Sequence, residues 1–509
     1  MKDTTRCFAI GHLLKCLALI GAHASAMAQL PPPPVSPAPI VDFEYDAQGN
    51  FTKSIQGKNV PGFNISTRHE YDGLGRRFRS TDARGKFTSF SRTGLDELLQ
   101  VTDPRNLTTT YPRNGLGDLT GLNSPDTGAA THSFDAAGNL KTRLDSRGAL
   151  ASYGYDALNR LTSVTHAQPG QASQVFTWTY DQTGPGFSNG IGRLTSTQFP
   201  AGSANYAYDP QGRLVLVTQT VTADSTVRLS VGYGYDAAGH VTSIMYPSGR
   251  TLLIPHSGGQ PVGMSLAGGR GPALPMLDGL KFDAAPGATG AVRSWLWQLN
   301  SGSMANNREF DIHGRMVRYP LGGAVRDLSY DAADRISSYT HWNALSGTAV
   351  AALDQAFAYD ELGRLTGISS GVGSWAIAYD DNGNRTVVRA YSGNGSSTRN
   401  YIVSPGSNQL LGIDNPTRAI ASDAVGNIAA QAEGNMSLSF GIDAANRIAS
   451  ISGTPDGVQF STTAYGYNAF GQRVLKKAVS VGRPCTDRTE RANCGDVAAP
   501  PRHWSGVHP

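Results

Sequence analysis

The sequence predicts an all-β fold built from repeated β-hairpins. Three observations predict it: a Tyr-Asp phrase that returns more than a dozen times, an aromatic-small-aromatic alternation ahead of many of the aspartates, and a turn-rich composition. The 509 residues include 60 glycines, with 39% hydrophobic and only 16% charged residues. That balance suits a β protein with many turns better than a helical one.

The phrase reads YGYDALNRLTSV at 153, YAYDPQGRLVLV at 206, YGYDAAGHVTSI at 233, FAYDELGRLTGI at 357 and YGYNAFGQRVLK at 465. Aligned on the aspartate, glycine stands three residues later at Gly49, Gly75, Gly85, Gly138, Gly148, Gly212, Gly239, Gly314, Gly363, Gly383, Gly426 and Gly471. Asn106, Asn159, Asn446 and Asp334 take the same place elsewhere. These residue types tolerate positive φ. An aspartate at the first position of a type I turn accepts hydrogen bonds from the backbone ahead of it, and a left-handed residue then closes the turn as a bulge. Pro104 and Pro210 follow their aspartates, where a type I turn favours proline. The predicted repeat turns are therefore Tyr71-Asp72-Gly75-Arg76, Tyr155-Asp156-Asn159-Arg160, Tyr208-Asp209-Gly212-Arg213, Tyr235-Asp236-Gly239 and Tyr359-Asp360-Gly363-Arg364, with their counterparts along the chain.

The flanks predict strands. Tyr153-Gly154-Tyr155, Trp178-Thr179-Tyr180 and Phe357-Ala358-Tyr359 alternate with a period of two, which puts both aromatics on one strand face and predicts stacking on the next repeat. Turn aspartates fall at 46, 72, 82, 103, 135, 145, 156, 181, 209, 236, 311, 331, 360, 380, 423 and 443, and Asn468 closes the series. Intervals near twenty residues signal a repeat architecture in which each unit buries a face on its neighbour. The pattern is weakest over 247–305, read as divergent repeats with a long loop near 257–276.

The ends are different. Residues 1–28 read as a signal peptide, with Lys2 and Arg6, a short apolar stretch and an Ala26-Met27-Ala28 cleavage site. Residues 29–41 form a proline-rich spacer, extended and semi-rigid, that holds the first repeat away from the cleaved end. The repeats occupy 42–478. Residues 479–509 lose the pattern, and their composition favours a frame-shifted or disordered end over a short variable tail. Cysteines occur only at 7, 16, 485 and 494, so the body has neither a disulfide framework nor a cysteine nucleophile. A formal charge of +4 without a basic run argues against nucleic acid as a partner. No stretch outside the leader approaches a transmembrane length, leaving the chain peripheral to a membrane at most.

The YDxxGRL phrase at this spacing resembles the YD repeats of bacterial RHS proteins, toxin-complex C proteins and teneurins, over about 42–478. The resemblance implies a sheet strip that spirals into a hollow shell, enclosing a C-terminal toxin in many bacterial members. Those members resemble one another further in a GRFxSxDPxG core segment that this sequence lacks, which implies an incomplete shell without its toxin. Implied partners are a toxin cargo encoded downstream or in a full-length form. The alternative is a cell-envelope binding protein for glycans or proteins, with the arginines after the turns lining a face for acidic sugars. Either reading places the exported chain in the periplasm, at the cell surface or outside the cell.

Chemistry-bearing motifs resolve into turns. Gly186-Phe187-Ser188-Asn189-Gly190 has the spacing of a nucleophile elbow but is preceded by Gly184-Pro185 and followed by a β run, not a helix. Asp380-Asp381-Asn382-Gly383-Asn384 invites calcium, yet Arg385 and Tyr391 stand where that loop needs Gly and Glu. His256 and His313 have no neighbour at metal-ligand spacing. No catalytic residue, metal ligand or cofactor is assigned, and the expected role is non-enzymatic.

Overall fold

The computed structural model describes residues 30–63, 65–222, 226–268, 271–282, 290–299, 302–455 and 461–480; the expected signal peptide, 1–28, and the expected tail from 481 on lie outside them. The described residues contain 41 strands and one short 3₁₀ turn, Ala351–Leu353. Every strand pair is antiparallel, and almost every strand pairs with the one before and the one after it. A 23-stranded sheet runs from Val41–Tyr45 to Gly302–Asn307, and a 16-stranded sheet from Glu309–Phe310 to Arg473–Ser480. The pairing is interrupted at Arg308, whose N–H is donated to the Arg293 carbonyl instead. A separate hairpin of His256–Ser257 and Gln260–Pro261 stands outside the strip, within the stretch expected to be a long loop.

Simple up-and-down order sorts the turns onto two edges. Tyr-Asp turns such as 46–50, 72–76, 156–160 and 360–364 all fall on one edge. The intervening turns, such as 82–86, 103–107 and 145–149, fall on the other. Residues far apart in sequence then meet along these edges. Arg105 reaches Ser404, Ser407 and Asn408, Ser146 reaches Ala424, Arg147 reaches Asp443, and Gln171 reaches Ile442. These partners are separated by 271 to 303 residues. A near-constant offset, turn against turn, means that the strip coils and lays the Tyr-Asp edge of its second circuit against the plain edge of its first.

An apolar contact adds to this seam. Phe176, Phe199, Ala201 and Ala204 are buried, and Ala469 and Val474 of the second circuit pack on them. Gly466 is the small residue of Tyr465-Gly466-Tyr467 here, and a Cβ on it would come within 2.9 Å of Ala201 Cβ. Elsewhere the sheet is thin, and many large apolar side chains stay exposed, among them Leu74, Leu95, Leu116 and Leu158 at turn tips.

The proline-rich segment, described from Leu30 on, makes contacts to the body. It is a strap laid across the start of the second circuit. Prolines lack an N–H and cannot join a ladder as donors, so the segment is held mainly through its acceptors. Arg318 Nη2 donates to the Pro31 carbonyl at 2.7 Å, Arg315 Nη2 to the Pro37 carbonyl at 3.1 Å, and the Tyr330 N–H to Ser36 Oγ at 2.8 Å. Ile40 closes the strap by donating to the Ala332 carbonyl.

Arg318 is anchored beneath the strap by Asp327, which is 1% exposed and accepts from Arg318 Nε at 2.5 Å, Arg318 Nη2 at 2.7 Å and Trp342 Nε1 at 2.9 Å. Removing one partner of such a pair leaves a buried charge behind. Arg318→Met is therefore expected to lower unfolding free energy by about 3–5 kcal/mol, with most of it regained in Arg318→Met/Asp327→Leu. Urea unfolding reads both. A single variant as stable as the parent would show that the pair is not what anchors the strap.

Candidate functional site

The residues singled out by the repeat converge on one structure, a clasp between successive hairpins. Its base is the turn. In the 156–160 turn, the Asp156 N–H donates to the Arg160 carbonyl, and the Asn159 N–H donates back to the Asp156 carbonyl, each at 3.0 Å. Asp156 Oδ1 accepts from the N–H groups of Leu158 and Arg160, both at 2.9 Å. Asn159 has a φ of 59°, and every glycine, asparagine or aspartate predicted for that place has positive φ, up to 94° at Gly239. The register shifts between Gly154 and Tyr155, between Ala207 and Tyr208 and between Ala358 and Tyr359, so a bulge sets the angle of each turn tyrosine.

Where the turn carries both tyrosine and arginine, two links run out from it, one backward and one forward. Backward, the tyrosine hydroxyl donates to the first carbonyl after the preceding turn: Tyr71 to Phe51, Tyr155 to Leu140, Tyr235 to Leu214, Tyr359 to Ile336. Tyr208 donates to Leu194 in the same way, although the intervening turn has grown into the 181–193 loop. Forward, the arginine is held by its own aspartate and reaches the next repeat. Arg213 Nε donates to Asp209 Oδ2 at 2.6 Å while its Nη1 donates to the Asp236 carbonyl at 2.8 Å. Arg364 does the same with Asp360 and the Asp380 carbonyl. Arg76 reaches the Thr93 carbonyl, and Arg160 the Asp181 carboxylate. The guanidiniums also lie over the next tyrosine, 4.4 Å for Arg160 over Tyr180 and 4.7 Å for Arg213 over Tyr235. Aromatic packing between repeats is thus largely arginine on tyrosine. Ring on ring, the expectation from alternation, survives in pairs such as Tyr339 and Phe357.

The spacing rule missed two turns. Thr93 and Asn114 stand where aspartate is usual, and their side-chain oxygens accept the same two backbone N–H groups, from Leu95 and Glu97 and from Leu116 and Asp118. Asp96 and Gly117 supply positive φ three residues on. Glycine-leucine after a short side chain with an accepting oxygen, Thr93 Oγ1 or Asn114 Oδ1, was the available signal.

Plain-edge turns carry the seam. Arg105 Nη1 donates to the Ser407 carbonyl at 2.8 Å and to Asn408 Oδ1 at 3.0 Å, and Nη2 to the Ser404 carbonyl at 2.7 Å. Arg147 is 5% exposed, bound to Asp145 in its own turn and donating to the Asp443 carbonyl. These are single arginines satisfying the carbonyls that a turn leaves without a ladder partner.

The suspected chemical motifs take structural roles. Ser188 lies in the 181–193 loop between two strands, and its hydroxyl donates to the Tyr208 carbonyl at 3.1 Å. Asp380 caps a hairpin turn through the N–H groups of Asn382 and Asn384.

The clasps also hold their carboxylates ionised. Asp72 lies below the usual value of 3.8, first through the Arg76 side chain and then through the Arg76 N–H. Asp156 is lowered chiefly by the Arg160 N–H, and Asp236 chiefly by the His240 side chain. Since the folded values lie below the unfolded ones, this stability is fully present above the unfolded value and is lost as pH falls through the folded values. The urea midpoint should therefore drop as pH falls below about 4, and Asp156→Asn should show a smaller drop than the parent. Equal slopes would rule out the Asp156 clasp as a contributor.

In the better-buried clasp, where Arg364 and Asp360 are 17% and 13% exposed, Arg364→Ala should cost about 1–3 kcal/mol and Tyr359→Phe about 1 kcal/mol. Urea titration of each variant reads these losses, and a null effect of both would leave the clasp without energetic weight.

Comparison with known proteins agrees with this geometry. The family profile of the RHS Repeat matches residues 134–171, which hold the turns at 135, 145 and 156. No curated protein matches the chain. Among solved structures, the Photorhabdus luminescens Tc holotoxin pore matches with a TM-score of 0.71 at 14% identity over 87% of this chain. The crystal structure of TcdB2-TccC3 matches with 0.71 at 15% identity over 88%, and its complex with Cdc42 with 0.70 at 15% over 86%. The chain spans 26% of the length of each.

Proposed function

We propose that this RHS/YD-repeat chain is a scaffold rather than an enzyme, the encapsulating and delivery part of a secreted polymorphic toxin. The observation that carries the reading is the seam. Two circuits joined edge to edge make a continuous wall, and the groups that would otherwise be candidates for chemistry, the aspartates, arginines and tyrosines of the turns, are engaged in holding it. The arginines that an acidic glycan would need are among them, which favours the scaffold over the adhesion reading.

The mechanism is steric. Main-chain pairing along each circuit and arginine contacts between circuits isolate a polypeptide cargo, encoded downstream or in a longer form of the chain. Solved structures of the same fold come from a Tc holotoxin pore and from TcdB2-TccC3, which supports a toxin-complex setting. Export through cleavage after Ala28 would place the wall in the periplasm, at the cell surface or outside the cell.

Co-expression with the polypeptide encoded immediately downstream tests the proposal. That polypeptide should co-purify and resist proteinase K under conditions that digest it alone. Failure to co-purify, or digestion at the same rate with and without the chain, overturns the encapsulating role.

A further inference from the structure

Asparagine followed by glycine occurs at Asn114-Gly115, Asn189-Gly190, Asn382-Gly383 and Asn394-Gly395. Such a pair is chemically labile, because glycine has no side chain to hinder attack of its backbone nitrogen on the asparagine amide carbon. The fold holds three of the four. Asn114 Oδ1 accepts from the Leu116 and Asp118 N–H groups, both at 2.9 Å, and its Nδ2 donates to Asp118 Oδ2 at 2.8 Å. Asn382 Nδ2 donates across the seam to Asp103 and within its own circuit to Asn408 Oδ1. The attacking nitrogen there, Gly383 N, already donates to the Asp380 carbonyl at 3.2 Å. Asn189 Nδ2 donates to the Tyr208 carbonyl at 2.8 Å, and the Asn189 carbonyl accepts from Arg193 Nη1 at 2.9 Å. Asn394 is different. It sits at the tip between Arg385–Ser392 and Gly395–Val403, in a stretch, 391–400, that is exposed throughout. Among the described residues Asn394 donates only its backbone N–H, to Ser392 Oγ at 3.3 Å, and its side-chain amide is left to water. A Cβ on Gly393 or Gly395 would meet nothing within 4 Å, so no neighbouring atom restrains the tip.

We propose that Asn394-Gly395 is a site of spontaneous deamidation, the one of the four pairs that the folded chain leaves reactive. The site goes beyond the scaffold role and does not rest on it. Gly395 N bonds to Asn394 Cγ, the Cγ–Nδ2 bond breaks, and ammonia leaves with the proton from the Gly395 N–H. Water then opens the cyclic imide at either carbonyl. One opening leaves aspartate, and the other leaves isoaspartate, with the main chain running through the side-chain carbonyl. Ring closure at the other three pairs must first break two or three hydrogen bonds, which slows it by roughly 10- to 100-fold. The preceding turn, 380–384, lies in the seam through Asn382 and Asp103, so the 393–394 tip lies on the opposite edge of the second circuit. The new negative charge therefore forms away from the seam and leaves the clasps intact.

Sequence alone makes the four pairs equivalent, and the fold ranks them. The purified full chain is incubated at mildly alkaline pH, folded in buffer or unfolded in guanidinium chloride, and sampled over time by tryptic digestion and mass spectrometry. Each pair falls in a different tryptic peptide, so each is read separately. In the folded chain the peptide holding Asn394 is expected to convert to its aspartate and isoaspartate forms at least about tenfold faster than the other three. In the unfolded chain all four should convert at similar rates. Asn394→Gln should remove the fast product, because the longer side chain closes the ring far more slowly. Conversion of Asn394 no faster than that of Asn114, Asn189 and Asn382 in the folded chain, or a fast product that persists in Asn394→Gln, overturns the site.

Discussion

The structure depends on a carboxylate that does the job of a missing strand partner. At the repeat turns the backbone N–H groups turn away from the ladder, and an unpaired donor there would be costly. Aspartate Oδ1 collects two of them, and a residue of positive φ lets the chain reverse within that grip. The second oxygen is then free to hold an arginine. One residue type thereby shapes the turn and aims the side chain that ties it to its neighbour, which explains why Tyr-Asp recurs while the strands between vary so much.

A thin sheet buries little apolar area, so hairpin contacts alone give a ribbon rather than a body. Coiling solves this by bringing turns of one circuit onto turns of the next. Turn tips are rich in exposed carbonyls, and arginine, with several donors in a fixed fork, matches them better than a hydrophobic residue would. The buried cluster around Phe176 and Phe199 is the local exception, and there glycine and alanine let two circuits approach closely.

What was legible in the sequence was local. The aspartate, the left-handed residue and the alternating aromatics lie within a few positions of one another, so the turns at Asp72, Asp156, Asp209, Asp236 and Asp360 and the all-β class followed directly. Thr93 and Asn114 escaped because the pattern was tied to a residue type instead of to a short side chain with an accepting oxygen. The backward link of each tyrosine and the forward link of each arginine needed the bulge, which rotates the side chain and leaves no trace in periodicity. The offset between circuits depends on sheet curvature, summed over dozens of strands, and no short window encodes it. For the same reason nothing in the sequence pointed to the docking of the strap on Arg315, Arg318 and Tyr330.

The docked strap also bears on how the chain is made. Its acceptors at Pro31, Ser36 and Pro37 find their donors only at Arg318, Tyr330 and Arg315, 278 to 294 residues later. At ribosomal rates of about 5–20 residues per second, the strap waits roughly 15–60 s after its own synthesis before its partners exist. A segment of prolines suits that delay, because it has few N–H groups to offer a wrong strand and little tendency to join an unfinished sheet. The strap can therefore be the first part of the body synthesised and among the last to lock.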